Sequence, residues 1–283
     1  VYSIVPCRRT VSLSYVFIFC VSDSWSDRTP LHEAAYQGRL LHLKTLITQG
    51  FHVDTLTMDR VSPLHEACLG GHYACAKFLL DNGANVRAVS ADGATALFNS
   101  CSSGSAACVR LLLQHGASIR TTCQLASPIH EAARKGVECL ELLLSCGAPV
   151  DVELPDVGTP LYSACRARAA ACVELLLRSG ADVHLGCGQD SPLHAAARGG
   201  ESDVVELLLD FGADRSGRNA DEKTPLELST PDSAVRFALQ KTGPSSLSQL
   251  CRFCVRRSIG WNRLHKASSL FLPLIIKDFL LYQ

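Results

Sequence analysis

Apolar residues recur along the chain in pairs of short helical stripes, and the pair repeats every 32 or 33 residues. In the clearest unit, Leu193, Ala196 and Ala197 are spaced for one face of a first helix, and residues 204–209 supply the stripe of a second. A Ser-Pro or Thr-Pro pair precedes most first helices, where the hydroxyl caps unbonded amides and proline fits the first turn. The pattern predicts an array of helix pairs joined by exposed hairpin loops.

The unit keeps a constant phase from end to end. Its proline position falls at Pro30, Pro63, Ala96, Pro128, Pro160, Pro192 and Pro225. A glycine that ends the second helix recurs at Gly50, Gly83, Gly116, Gly147, Gly180 and Gly212. Segments such as Thr29-Pro30-Leu31-His32-Glu33-Ala34 resemble the T-P-L-H-x-A signature of the ankyrin repeat. The resemblance implies an all-α solenoid over residues 27–240, with six full repeats and a degenerate, capping seventh, used for binding rather than for catalysis.

A different pattern begins after Gly243-Pro244, a dipeptide that marks a boundary. One apolar stripe at helical spacing is formed by Leu247, Leu250, Cys251, Cys254 and Val255. A second apolar segment near the end of the chain contains Leu272, Pro273, Ile276, Phe279 and Leu280. These two segments predict a small helical module of about forty residues.

The module resembles a SOCS box, whose elongin box would be residues 246–255 and whose cullin box would be residues 272–280. Leu247, Cys251 and Val255 match a Leu-x3-Cys-x3-aliphatic helix. Ankyrin repeats followed by a SOCS box are typical of the ankyrin repeat and SOCS box protein family, and the chain is identified as a member of its short, six-repeat subgroup. The resemblance implies a three-helix SOCS box over residues 243–283.

The resemblance also implies a function. The chain would be the substrate-recognition subunit of an elongin-cullin-SOCS-box ubiquitin ligase and would mark its target for proteasomal degradation. The elongin box would bind elongin B and C, and the cullin box would bind a cullin, cullin five by analogy, together with a RING protein. In the stricter cullin box a second proline stands where this chain has Ile275, so the elongin contact is the firmer expectation.

A second interpretation stays open. The chain could be a non-catalytic ankyrin scaffold whose C-terminal helices only cap the array. The two interpretations differ at Leu247, Cys251 and Pro273, which only the ligase subunit needs exposed to partners. In both, an unidentified protein target is expected at the hairpin tips and the concave face, with candidate contacts at Phe51, Met58, Arg60, Arg87 and Arg120.

Fourteen cysteines would suit a disulfide scaffold, but their phase favours the core. Two positions of the repeat recur, the first with Cys68, Cys101 and Cys165, the second with Cys75, Cys108, Cys172 and, in a repeat one residue short, Cys139. We therefore expect small buried thiols. So many unpaired thiols indicate a reducing compartment, the cytoplasm or the nucleus.

Charge and motifs exclude several classes. The 27 basic and 27 acidic residues leave no basic excess for nucleic acid. No P-loop, GxSxG or HExxH pattern points to an enzyme, a cofactor or a metal site. Histidines recur at one phase, and we expect them to form hydrogen bonds between neighbouring repeats: His32, His65, His130 and His194.

Residues 1–26 form an N-terminal extension. Arg8-Arg9 and the apolar run 11–21 resemble a signal peptide, but the run is shorter than the ~20 residues that span a bilayer. We expect no membrane association. The chain begins at Val1 and its one methionine is Met58, so we interpret the extension as truncated or misassigned. A weak membrane anchor and a flap over the first repeat are the alternatives.

Overall fold

The computed structural model describes residues 27–120, 127–240 and Pro273, and the regular elements of these ranges are α-helices arranged in pairs. The first helices of the pairs are α1 (Pro30–Tyr36), α3 (Pro63–Leu69), α5 (Ala96–Ser103), α7 (Pro128–Lys135), α9 (Pro160–Arg166), α11 (Pro192–Gly199) and α13 (Pro225–Leu228). The second helices are α2 (Leu40–Thr48), α4 (Tyr73–Asp81), α6 (Ala106–Gln114), α8 (Val137–Ser145), α10 (Ala170–Arg178), α12 (Ser202–Asp210) and α14 (Ala234–Gln240). The predicted all-α repeat array is confirmed.

Several predicted residues lie outside the described ranges. They are the extension 1–26, the elongin-box residues Leu247, Leu250, Cys251, Cys254 and Val255, and the cullin-box residues Leu272, Ile276, Phe279 and Leu280. Pro273 is described and exposed.

Reciprocal hydrogen bonds start several of the first helices at the predicted residues. The Ser62 hydroxyl accepts a hydrogen bond from the His65 amide at 3.4 Å, and His65 Nδ1 accepts one from the Ser62 amide at 3.2 Å. Ser191 and His194 repeat this arrangement in α11. Two otherwise unbonded amides are thereby satisfied at the start of each of these two helices.

The same histidines join each repeat to the next through Nε2. Nε2 lies 2.9–3.2 Å from a backbone carbonyl of the following hairpin in every case: His32 to Val61, His65 to Ala94, His130 to Gly158 and His194 to Lys223. A carbonyl only accepts hydrogen bonds, so Nε2 carries the proton. Nδ1 accepts from the amide of the capping residue in His32, His65 and His194, whereas Nδ1 of His130 has no partner among the described residues. The predicted links between repeats are confirmed.

The recurring cysteines are core residues, as predicted. Each of the seven is at most 2% exposed. Burial raises the pKa of Cys68 to about 12 and that of Cys139 to about 11. These thiols therefore pack as small apolar groups and stay protonated at neutral pH.

The array curves because its two layers pack differently. Buried alanines at the middle of the first helices, such as Ala34, Ala67 and Ala132, let neighbouring first helices approach more closely than neighbouring second helices do. The first helices consequently line the concave side and the second helices the convex side. None of the helices in the described part of the chain is long and apolar enough to cross a membrane.

Candidate binding surface

The five predicted target contacts are all exposed on hairpins that follow the second helices. Met58 is 88% exposed and Phe51 is 37% exposed, and Arg60, Arg87 and Arg120 are also exposed. The Met58 amide donates a hydrogen bond to the Asp27 carboxylate, which ties the tip of the first hairpin to the chain before α1. The backbone at Met58 is therefore fixed, while the Met58 thioether is exposed to solvent.

Only one of the five lines the groove between the first two hairpins. This groove has a volume of about 130 Å³ and is lined by Asp54, Leu56, Arg60, Asn85, Ala88 and Val89. Arg60 belongs to it, whereas Phe51, Met58, Arg87 and Arg120 do not. Leu56, which is 49% exposed, also lines the groove and is not among the five predicted contacts. The sequence feature that indicates this residue is a leucine between two threonines in a hairpin.

Aspartates at one phase of the repeat connect neighbouring hairpins. Asp54 Oδ1 accepts a hydrogen bond from the Asn85 amide at 2.9 Å, and Asp151 Oδ1 accepts one from the Asp182 amide at 3.0 Å. Arg87 and Arg120 stand at this phase in the second and third repeats. A guanidinium cannot accept a hydrogen bond, so these two side chains cannot make the connection.

A buried ion pair lies on the concave side of the first two repeats. Arg28 contacts Glu66 at 2.7 Å and stacks over the Tyr36 ring at 5.5 Å from its centroid. The side chain of Glu66 is 2% exposed, and burial raises the pKa of its carboxyl to about 7 although Arg28 opposes the rise. Residues from two repeats and the preceding segment thus meet at one point.

Tyr162 replaces the usual histidine in the fifth repeat and makes a different link. Its hydroxyl donates a hydrogen bond to Asp190 Oδ2 at 2.8 Å, and Arg198 contacts the same carboxylate oxygen. Arg166 lies over the Tyr162 ring at 5.9 Å from the centroid. This departure from the repeat pattern therefore joins the fifth repeat to the sixth through side chains.

The convex side carries a larger hollow that contains none of the predicted contacts. It has a volume of about 320 Å³ and lies between α6 and α8, where Arg110 faces Glu138 and Glu141. Within the described ranges, no group of three or more His, Cys, Asp or Glu side chains could hold a metal ion.

Known families and proteins resemble this chain along most of its length. The family model of ankyrin repeats matches residues 14–90, 31–123, 85–156, 125–187 and 161–242, and that of the SOCS box matches residues 243–281. Ankyrin repeat and SOCS box protein 11 of Danio rerio is 56% identical over 93% of this chain and 89% of its own length. Ankyrin repeat and SOCS box protein 5 of Mus musculus is 55% identical over 92% and 80%.

Solved structures share the fold of the repeat array. The crystal structure of the human ASB11 ankyrin repeat domain superposes with a TM-score of 0.74 at 55% identity and covers 77% of this chain and all of the solved chain. The ankyrin repeat domain of Bcl-3 superposes with a TM-score of 0.59 at 30% identity and covers 75% of this chain and 98% of its own.

Proposed function

Because the chain belongs to the ankyrin repeat and SOCS box protein family, we propose that it is the substrate-recognition subunit of an elongin-cullin-SOCS-box ubiquitin ligase. The observation that carries the proposal is the SOCS box match at residues 243–281, directly after the repeat array. That match spans both segments with the predicted elongin-box and cullin-box patterns.

The proposed mechanism is tethering. The array holds the target while the SOCS box holds the cullin and its RING protein, so a dilute encounter becomes an effectively intramolecular one. The chain contributes no nucleophile in this scheme. Its buried thiols suit such a role, because burial raises the pKa of Cys68 and Cys139 far above neutrality.

The SOCS box would supply two contacts. Elongin B and C would receive the apolar stripe of one helix in a groove, the mode of an amphipathic helix in a hydrophobic cleft, through Leu247, Leu250, Cys251, Cys254 and Val255. The cullin, cullin five by analogy, would contact Leu272, Pro273, Ile276, Phe279 and Leu280. The unpaired thiols of the array favour a reducing compartment for this assembly, and we propose the cytoplasm or the nucleus.

The target would bind at the hairpin tips and the concave side. Phe51 and Met58 offer apolar surface, and Arg60, Arg87 and Arg120 offer charge. The groove beside Leu56 adds a concave site between two hairpins. Side chains in an exposed row on a rigid scaffold suit recognition of a protein partner.

Co-expression with elongin B, elongin C and the cullin tests the proposal. The wild-type chain should co-elute with them on size-exclusion chromatography. A Leu247→Glu, Cys251→Phe double variant should lose co-elution, because it places a charge and a bulky ring in the apolar stripe. Ser248→Glu is the matched control, since Ser248 lies one residue outside the stripe.

The result separates the two interpretations. Loss of co-elution in the double variant, with the helical circular dichroism of the array unchanged, supports the ligase subunit. If the wild-type chain does not bind elongins, the chain is a scaffold whose C-terminal helices only cap the array.

A further inference from the structure

Three arginines form a row on the concave side of the fourth to sixth repeats. Arg134, Arg166 and Arg198 each stand six residues after the proline that begins their first helix. At 3.6 residues per turn, this position lies about half a turn from the buried residues that pack on the second helices. The three side chains therefore face the concave side, at the same height on three neighbouring helices.

This arginine row is confined to one half of the array. The corresponding residues of the first three repeats are Tyr36, Leu69 and Ser102. The repeat fold itself therefore does not require a basic residue at this position. A structural role shared by all repeats cannot explain the row.

The convex side of the same three repeats has the opposite charge. One position of the second helices carries Glu141, Glu174 and Glu206, where the first three repeats carry Lys44, Lys77 and Arg110. The chain as a whole is neutral. Three positive charges of the fourth to sixth repeats thus lie in a concave surface, a shape that strengthens the local potential, and Glu131 and Asp190 offset part of this charge.

The middle arginine is the one open to a ligand. Arg134 pairs with Glu131 at 2.9 Å, and Arg198 contacts Asp190. No carboxylate of the described residues lies within ion-pair distance of Arg166, which is exposed and rests on the Tyr162 ring. An arriving carboxylate would therefore meet Arg166 without displacing an existing pair.

We propose that the arginine row binds an extended acidic segment of the target protein, with Asp or Glu at about every third residue. Packed helices lie roughly 8–10 Å apart, and an extended chain rises about 10 Å in three residues. The middle carboxylate would therefore pair with Arg166, and the outer two would share Arg134 and Arg198 with Glu131 and Asp190. Arginine suits this ligand, because its planar guanidinium pairs with a carboxylate through two hydrogen bonds. This inference rests on the proposed role as a target receptor.

A synthetic peptide tests the inference on the full-length chain. The probe is a fluorescently labelled peptide of Asp-Ser-Thr repeated over about twelve residues, and its control replaces every aspartate with asparagine. Binding is followed by fluorescence anisotropy at low and high salt. Arg166→Ala should weaken binding of the acidic peptide about tenfold, the usual effect of losing one charge-assisted hydrogen-bond pair.

Arg178→Ala is the matched control, because it removes the same charge from the convex end of the same repeat. It should change the affinity less than twofold, and Arg166→Lys should retain part of it. The inference is overturned if both alanine variants weaken binding equally, if the asparagine peptide binds as well, or if a single-stranded oligonucleotide outcompetes the acidic peptide.

Measuring whether the same variants co-elute with elongin B and C distinguishes the two proposals. Arg166→Ala should bind elongin B and C like the wild-type chain. Peptide binding without elongin binding would refute the ligase role alone, and elongin binding without peptide binding would refute the acidic ligand alone.

Discussion

At the scale of single residues, the repeating histidines show how one side chain can serve both a helix start and a contact between repeats. Nδ1 accepts from the amide before its own helix, and Nε2 donates to the next hairpin. Burial acts against the charged ring. It lowers the pKa of His130, whose Nδ1 is buried without a hydrogen-bond partner among the described residues, to about 4.

We expect the array to lose stability as the pH falls from about 6.5 towards 4. In this range the histidine of the unfolded chain, with a pKa near 6.5, binds a proton, whereas His130 of the folded chain stays neutral. His130 alone should contribute roughly 3 kcal/mol to this loss. Urea unfolding at a series of pH values measures it. A His130→Gln variant should show a weaker dependence, and an unchanged slope would contradict the assignment.

Glu66 changes the stability of the folded chain with pH in the direction opposite to His130. Its folded pKa is raised to about 7, so the folded state holds a proton that the unfolded state releases, and its contribution falls as the pH rises from about 4.5 to 7. Glu66→Gln removes this opposing contribution. The variant should therefore lose stability more steeply on acidification than the wild-type chain.

At the scale of elements, the turns between paired helices depend on one left-handed residue. Glycine holds this place in four repeats, with φ between 70° and 80°: Gly38, Gly71, Gly104 and Gly200. In the fifth repeat Arg168 adopts φ 59° instead. In the fourth repeat, which is one residue short, α8 begins directly after Gly136, whose φ of −175° is extended. The missing residue thus removed the left-handed turn.

Arg168→Gly should stabilise the chain by about 1 kcal/mol, because a side chain in the left-handed region costs roughly that much and glycine avoids the cost. The ion pair lost with Arg168, 3.9 Å from exposed Glu201, is worth little. Thermal unfolding measures the change. Ala167→Gly is the control, since Ala167 has φ −82° and the substitution should destabilise. A lower melting temperature for Arg168→Gly would contradict the prediction.

At the scale of the whole molecule, the stacked repeats turn sequence phase into surfaces. Residues that recur every 32 or 33 positions come to lie in rows, so a neutral chain carries a basic concave row and an acidic convex row in the same three repeats. Close packing of the first helices bends the stack and makes one of these surfaces concave. The rows need no contact between distant parts of the chain other than stacking.

We expect the free chain to be poorly soluble above micromolar concentrations and elongin B and C to increase its solubility, because the elongin-box stripe is apolar and a bound partner removes it from water. The soluble fraction after co-expression and after single expression measures the effect. The Leu247→Glu, Cys251→Phe variant should gain nothing from elongins. Equal solubility of the wild-type chain with and without elongins would count against the prediction.

The sequence by itself determined the repeat, its helices and its buried positions. Caps such as Ser62, left-handed glycines such as Gly83 and inward thiols such as Cys68 follow from local geometry and a fixed period, so they could be predicted without a structure. The two boxes of the SOCS module were likewise recognised as patterns, and their contacts stay predictions.

Only the tertiary structure decided which exposed residues meet. The pairing of Arg28 with Glu66, the hydrogen bond of Tyr162 to Asp190 and the groove beside Leu56 each join residues of neighbouring units of the array. The repeat period predicts that such residues are neighbours, but the length and direction of their side chains, and how neighbouring repeats stack, decide which of them touch. Of the five predicted contacts, stacking brought only Arg60 into the groove, because that space forms between two hairpins and belongs to neither alone.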